Sequence, residues 1–377
     1  MALDIHKYEE NIKKTGFPLE FRISETLRKE KWSVINNRYY IDDQSGTVRE
    51  IDIVAYKTKK VKDFWLFTTL IISCKKSDEN LWALLSKNID KNDRNTDWKP
   101  VHVWTENQVL KFVLSKNDWK NNYYEYITQS GIEDALCVPE LHIFAFQEMK
   151  IENGKPQNDK SIFSSITSLM KAQAYELSSL PKRKRKKDNF IYQFNLISII
   201  DSELIRLHFE GDDITGCQIE QGHYIGRYII NKEETFARIH FIKEASFGNI
   251  LSDYGLYHEA NCSFFEKIYD DFYIDVVKDY EKRGLFKEEL SQKIKWIIYS
   301  KIKNIHERME DLKEISLHWD NKQEILDIGI NINEEEANIL NSSSNTIEAM
   351  KKLLNDIYRY KGDFKFTKFA DFDDISF

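Results

Sequence analysis

The segments Arg49–Ala55 (REIDIVA) and Leu70–Ser77 (LIISCKKS) constrain this chain more than any others, because both set charge inside runs that otherwise read as buried β-strand. Side chains alternate between the two faces of a strand. Ile51 and Ile53 therefore point one way and Glu50 and Asp52 the other, while Ile72 and Cys74 oppose Ser73 and Lys75. If the two strands are neighbours, Asp52 and Lys75 converge at one edge of the sheet. Singly, an aspartate in a strand or a Lys-Lys pair after one marks a solvated strand end. Their joint order and spacing are what point to a site.

The flanking pattern supplies a frame. Gly16 and Pro18 suit a helix start, and Leu19, Ile23 and Leu27 recur at helical spacing up to about Glu30. Trp32 to Ile41, rich in aromatic and β-branched residues, reads as a strand. Asp42 to Gly46 is turn chemistry. Val48–Tyr56 and Phe64–Cys74 are the second and third strands, followed by an expected helix over Glu79–Lys87. Pro100–Trp104 and Leu141–Phe146 read as further strands and Ser161–Leu180 as a helix. The order α-β-β-β-α-β predicts a mixed sheet flanked by helices, an α/β (α+β) class.

A chain of 377 residues exceeds one typical core, and two domains are expected. The block Pro181–Lys187 (PKRKRKK) is the clearest punctuation, since a run of like charge cannot pack. The expected division is a first domain over 1–180, a basic linker over 181–189 and an α+β domain with long helices over 190–377. In the latter, Phe190–Ile200, Glu203–Phe209, Tyr224–Ile230 and Thr235–Ile242 read as strands, and Phe265, Ile268, Phe272 and Val276 mark a helix. Leu290 to Leu312 follows a near-heptad rhythm, and Thr346–Tyr358 is a further helix within a polar tail.

The net charge of −7 rules out a uniformly cationic surface, so a nucleic acid would need a local basic groove. Cys74, Cys137, Cys217 and Cys262 form no CxxC pair, which argues against a zinc knuckle or a disulfide framework and favours a reducing, cytoplasmic setting. No apolar run approaches the roughly 20 residues a membrane helix needs, so no membrane association is expected. No nucleotide-binding P-loop, HExxH or GxSxG motif occurs.

Hydrolysing a phosphodiester calls for a divalent ion to polarise a phosphoryl oxygen, and magnesium commonly takes one or two protein carboxylates. A lysine nearby can stabilise the developing negative charge. Glu20, on the flank of the first apolar helix stripe, can approach Asp52 from a helix packed on the sheet. The arrangement resembles the PD-(D/E)XK nucleases, the superfamily of restriction enzymes, Holliday-junction resolvases and Mrr-type enzymes. Their pattern is a helix glutamate, a strand aspartate in an EID-like context, then an acid-x-lysine ending the next strand. Glu20, Asp52 and Lys75 match these positions, and the resemblance covers about the first 180 residues.

That resemblance implies a restriction-endonuclease-like fold and hydrolysis of DNA, with RNA as the alternative polymer. It implies Mg²⁺ (Mn²⁺ substituting) on Glu20, Asp52 and Glu50, with Asp52, Lys75, Glu20 and the Ser73 position as the catalytic set. Ser73 departs from the pattern, for a neutral hydroxyl stands where the family carries an acid or glutamine, and a hydroxyl binds magnesium poorly. The expectation is an active nuclease in a prokaryotic restriction or anti-phage role. Its rival is a decayed nuclease fold serving as a nucleic-acid-binding or scaffold subunit. Gln173 and Tyr175, on the late helix, are a weaker similarity at a different spacing.

Nucleic-acid contacts are expected from Lys76 and from Lys182, Arg183, Lys184, Arg185, Lys186 and Lys187. The echo Arg206-Leu207-His208-Phe209 and Arg238-Ile239-His240-Phe241 sets Arg and His on one strand face. Two such strands side by side would present Arg206 and Arg238 to phosphates, although an ordinary solvent face of an antiparallel sheet explains the pattern more simply. The near-heptad helix suits a bundle seam or a homodimer interface, and a partner protein of a defence complex is a further expectation.

Overall fold

A computed structural model describes residues 3–183, 189–299, 301–302 and 314–369. The chain opens with α1 (Ile5–Ile12) and α2 (Phe17–Lys29), the latter with proline in its first turn and Leu19, Ile23 and Leu27 buried. An antiparallel meander follows: β1 (Ser33–Ile41), β2 (Val48–Val61) and β3 (Phe64–Lys76). Asp42 shapes the first turn by accepting from the Gln44 and Ser45 amides at 3.0 Å each, and Gly46 takes φ 65°. Next come β4 (Asn80–Asn88), β5 (His102–Thr105), α3 (Gln108–Leu114), α4 (Trp119–Gln129), β6 (Leu141–Lys150) and α5 (Lys160–Arg183). Then follow β7 (Phe190–Asp201), β8 (Leu204–Glu210), β9 (Asp213–Gln218), β10 (Gln221–Ile230), β11 (Glu233–Lys243) and α6 (Glu244–Tyr273).

The expected break at 181–189 is not where the chain divides. Its two compact units are 1–266 and 267–377, and the boundary falls within α6. The reason lies in β7, which follows the basic run but pairs in parallel with β3 from Trp65↔Phe190 to Lys76↔Asp201. Twelve paired residues make β7 a central strand of the sheet, not the start of another domain. Among the described residues that sheet has seven strands in the order β1-β2-β3-β7-β11-β10, with β5 on β7, and a second sheet runs β6-β4-β8-β9. Lys182 and Arg183 belong to the end of α5, while Lys184, Arg185, Lys186 and Lys187 lie outside the described residues.

The segment expected as a helix over Glu79–Lys87 is strand β4. Its Leu-Trp-Ala-Leu-Leu run carries no period of its own to separate strand from buried helix. Pairing decides it, because β4 bonds to β6 on one side and β8 on the other, and Trp82, Ala83 and Leu84 are all buried. The helix of the β3-α-β7 crossover is instead α5, whose Ile162, Ile166, Leu169 and Met170 pack with Ile71, Leu196, Ile239 and Phe241. Helix α2 lies against the opposite face: Asn36 Nδ2 donates to Ser24 Oγ at 2.6 Å, and Asn36 is in register with Ile53 and so with Ile72, whose side chain opposes that of Ile71.

The second unit contains α7 (Tyr280–Gly284), α8 (Lys287–Ile298), β12 (Ile315–Asp320), β13 (Ile325–Ile330), α9 (Glu334–Ser342), α10 (Ser344–Tyr358) and β14 (Phe364–Lys368). Strands β12-β13-β14 form a small sheet whose parallel pair, β13 and β14, is joined through α9 and α10. Leu326, Ile328, Leu340, Leu354 and Tyr358 are fully buried in it. The sequence pattern anticipated α10 but not this sheet. The near-heptad stretch is described only through α8 and residues 299, 301 and 302; Ile305, Met309 and Leu312 lie outside the described residues. Among the described residues no helix is long and apolar enough to cross a membrane.

Candidate functional site

The site forms where β2 and β3 part. Their ladder runs from Val61↔Phe64 to Ile53↔Ile72, after which β3 stays with β7 and β2 stays with β1. Asp52 is the first residue beyond the last paired one. Its Oδ2 accepts from the Cys74 amide at 2.6 Å, and Ser73 stands close enough to favour its charged form. The aspartate thus replaces the ladder bond that diverging strands can no longer make. A hydrogen bond to a charged group of this kind contributes roughly 1.5–3 kcal/mol.

Three further charges surround it. Glu20 sits in the first turn of α2, where the helix N-terminus favours an anion. Burial first, then repulsion from Asp52 and Glu50, holds its carboxyl above the usual range, with Lys75 pulling the other way. Asp52 is also held above its usual range, chiefly by burial and further by Glu50, against the Cys74 amide, Lys75 and Ser73. Glu50 accepts from the Asn37 side chain, and Asn37 takes φ 56° opposite this stretch of β2. Lys75 is half-buried, acts electrostatically on both Glu20 and Asp52, and makes no ion pair of its own among the described residues. Glu20, Asp52 and Lys75 therefore stand within electrostatic reach of one another, with Glu50 on the exposed margin.

Two neighbours complete the picture. Ser73 is buried, in register with Ser198, which in turn shares a 2.8 Å hydrogen bond with Ser165 on α5. Cys74 is buried and its thiol is pushed well up, by burial and then by Asp52 and Glu20, which makes it a poor nucleophile. The donor set is the carboxylates of Glu20 and Asp52, both held above the usual range chiefly by burial. Among the described residues no three His, Cys, Asp or Glu side chains stand close enough to form a full protein ligand set. Two carboxylates with water or substrate oxygens completing the shell suit magnesium, and a cation beside them would favour the charged forms that burial disfavours in both.

Comparison with protein-family models, with curated proteins and with solved structures finds no match.

The expected contact residues fare differently. Lys76 donates to the Lys13 carbonyl at 3.1 Å and lies 3.5 Å from Asp78. Arg183 pairs with Glu176 at 2.6 Å. Arg206 and Arg238 do not share a surface: β8 belongs to the four-stranded sheet and β11 to the seven-stranded one, and Arg238 is only 8% exposed. Gln173 is buried, and Tyr175 is half-buried against the α5 core cluster. Arg22 was not anticipated. It bonds Glu244 at 2.5 and 2.9 Å and Asp201 at 3.1 Å, tying α2 to the end of β7 and the start of α6 beside the site. Its partners are far away in sequence, which is why pattern alone could not find them.

Proposed function

We propose that this chain is a metal-dependent nuclease of the restriction-endonuclease-like kind, hydrolysing DNA phosphodiesters in a prokaryotic restriction or anti-phage role. The observation that carries the reading is the meeting of Glu20, Asp52 and Lys75 where β2 and β3 part. A mixed sheet with α2 on one face and α5 on the other supports it further. RNA is the other polymer on which the same chemistry could act.

In this reading Glu20 and Asp52 would hold Mg²⁺ or Mn²⁺, and Glu50 adds negative potential from the margin. The ion, when bound, polarises the phosphoryl oxygen and acidifies a coordinated water. Asp52 keeps its orientation because the Cys74 amide fixes Oδ2. Lys75, free of a competing ion pair among the described residues, offers its ammonium to the negative charge that grows on the phosphorane-like transition state. Cutting both strands of a duplex calls for two such sites, supplied by a homodimer or a partner protein. The basic residues 182–187 would add sequence-independent attraction to phosphates.

Ser73 favours a second reading, a nucleic-acid-binding or scaffold subunit with a decayed site. Its neutral hydroxyl stands two residues before the lysine, where an acid would add a ligand. A cleavage assay on DNA and RNA with Mg²⁺ or Mn²⁺ separates the two. The expected result is an active wild type, with Asp52→Asn and Lys75→Ala folded and still bound but inactive. Cleavage that survives both substitutions refutes the site. An inactive wild type that gains cleavage through Ser73→Glu moves the binding-subunit reading ahead.

A further inference from the structure

Strand alternation places Val54 and Tyr56 of β2, Phe67 and Thr69 of β3, and Tyr192 and Phe194 of β7 on one face of the seven-stranded sheet, the face that carries α5. They stand in register, Tyr56 beside Thr69 and Phe194, and Phe67 beside Tyr192. Helix α5 ends at Arg183, and at that end a cavity of about 310 Å³ lies between helix and rings. Glu176, Leu180 and Arg183 line it from the helix, and Ile35 and Arg38 from β1. Asn37, at φ 56°, interrupts the alternation of β1, so two residues three apart reach the same cavity.

The wall is aromatic and the rim cationic. Phe67 and Tyr192 stack with centroids 4.4 Å apart, and Tyr56 tilts against Phe67 at 5.9 Å. All three rings are half-buried rather than sealed in the core. Such rings attract a further flat ring in edge-to-face or offset contact. At the rim, Arg38 Nε donates to Glu176 Oε1 at 3.1 Å, and Arg183 Nη2 donates to Glu176 Oε2 at 2.6 Å. Two guanidiniums thus share one carboxylate, the one acid among the described lining residues, and one positive charge is left over. A guanidinium carries five N–H donors. The Nη groups of Arg38 and the Nε and Nη1 of Arg183 make no protein hydrogen bond among the described residues. Those donors remain for a ligand.

We propose that this cavity binds one nucleotide, its base against Tyr56, Phe67 and Tyr192 and its phosphate on the remaining donors of Arg38 and Arg183. A bare anion would leave the rings unused, and a neutral aromatic molecule would leave the charge unused. Phosphate oxygens match the guanidinium fork bidentately. The volume is at the lower end of small-molecule sites, which suits a single nucleotide. The cavity lies on the α5 face, opposite the face on which α2 brings Glu20. The proposal does not rest on the nuclease reading.

Calorimetric titration of the full chain in EDTA tests it, with AMP and UMP against adenosine, inorganic phosphate and indole-3-acetate. At least one nucleotide is expected to bind roughly tenfold or more tightly than adenosine or phosphate, as charge-assisted bonds and ring contact add. Arg38→Gln and Arg183→Gln should each weaken nucleotide binding roughly tenfold and leave any binding of adenosine unchanged. Tyr56→Leu should weaken nucleotide and adenosine alike, by roughly fivefold or more. Asp52→Asn should bind nucleotide as wild type does. Absence of nucleotide binding by wild type overturns the proposal, and so does tighter binding of indole-3-acetate than of either nucleotide. Full affinity in Arg183→Gln, or loss of binding in Asp52→Asn, removes the phosphate from this rim and overturns it equally. If Arg38→Gln fails to fold, Arg183→Gln at the exposed helix end decides.

Discussion

Replacing Asp52 by alanine and by asparagine separates two tasks that one carboxylate performs. The Cys74 amide faces the β2 side of β3 just beyond the last ladder pair, and Asp52 Oδ2 is its acceptor at 2.6 Å. Alanine leaves that amide without a partner, and a buried unmet donor costs about 1–3 kcal/mol. Both substitutions remove a charge that burial and Glu50 already disfavour, which returns some stability. Asparagine keeps an acceptor oxygen and so takes the relief without the loss. Asp52→Ala should therefore be less stable than Asp52→Asn by about 1–3 kcal/mol, roughly 5- to 150-fold in the folding equilibrium. Urea unfolding in EDTA, followed by tryptophan fluorescence, reads the difference. Hydrogen exchange at the Cys74 amide reads its cause, with protection in wild type and Asp52→Asn and fast exchange in Asp52→Ala. Equal midpoints and equal protection in the two variants would show that Asp52 does not stand in for the ladder. Adding Mn²⁺ to the same series should stabilise wild type and not Asp52→Asn, since a ligand that binds only the folded state at 100 times its Kd contributes about 2.7 kcal/mol.

Two further outcomes follow from the fold. His102, donating to the Phe236 carbonyl at 2.8 Å, and His258, bonded to Thr68 at 2.9 Å, are both pushed down to about 4 by burial. A histidine depressed in the folded state contributes stability that is full above its unfolded value of 6.5 and is lost as pH falls through about 4. His102→Gln and His258→Gln should each flatten the acid limb of the stability curve, and an unchanged limb in both would refute the burial argument. Residues 1–180 alone lack β7 and leave β3 as an apolar edge, so that fragment should aggregate without a cooperative transition, whereas residues 1–266 should unfold cooperatively. A soluble, cooperative 1–180 fragment would restore the boundary at the basic run.

Which residues could meet at the site was legible in the sequence, because strand alternation and helix periodicity are properties of the local backbone. Glu50 and Asp52, Ser73 and Lys75, and the Leu19–Ile23–Leu27 stripe needed no knowledge of distant partners. The same reasoning located the meander, α5, β7, β8, β10, β11 and α10. It failed where the answer depends on what lies alongside. Leu81 to Leu85 became a strand because β6 and β8 flank it, overriding a composition that also suits a helix. The basic run looked like a boundary because charge excludes packing locally, yet the strand after it is held in the sheet centre by β3 and β11. Arg206 and Arg238 shared a sequence pattern but not a sheet. Only tertiary structure could separate them into two sheets, since strand pairing and burial are set by contacts between segments far apart in the chain.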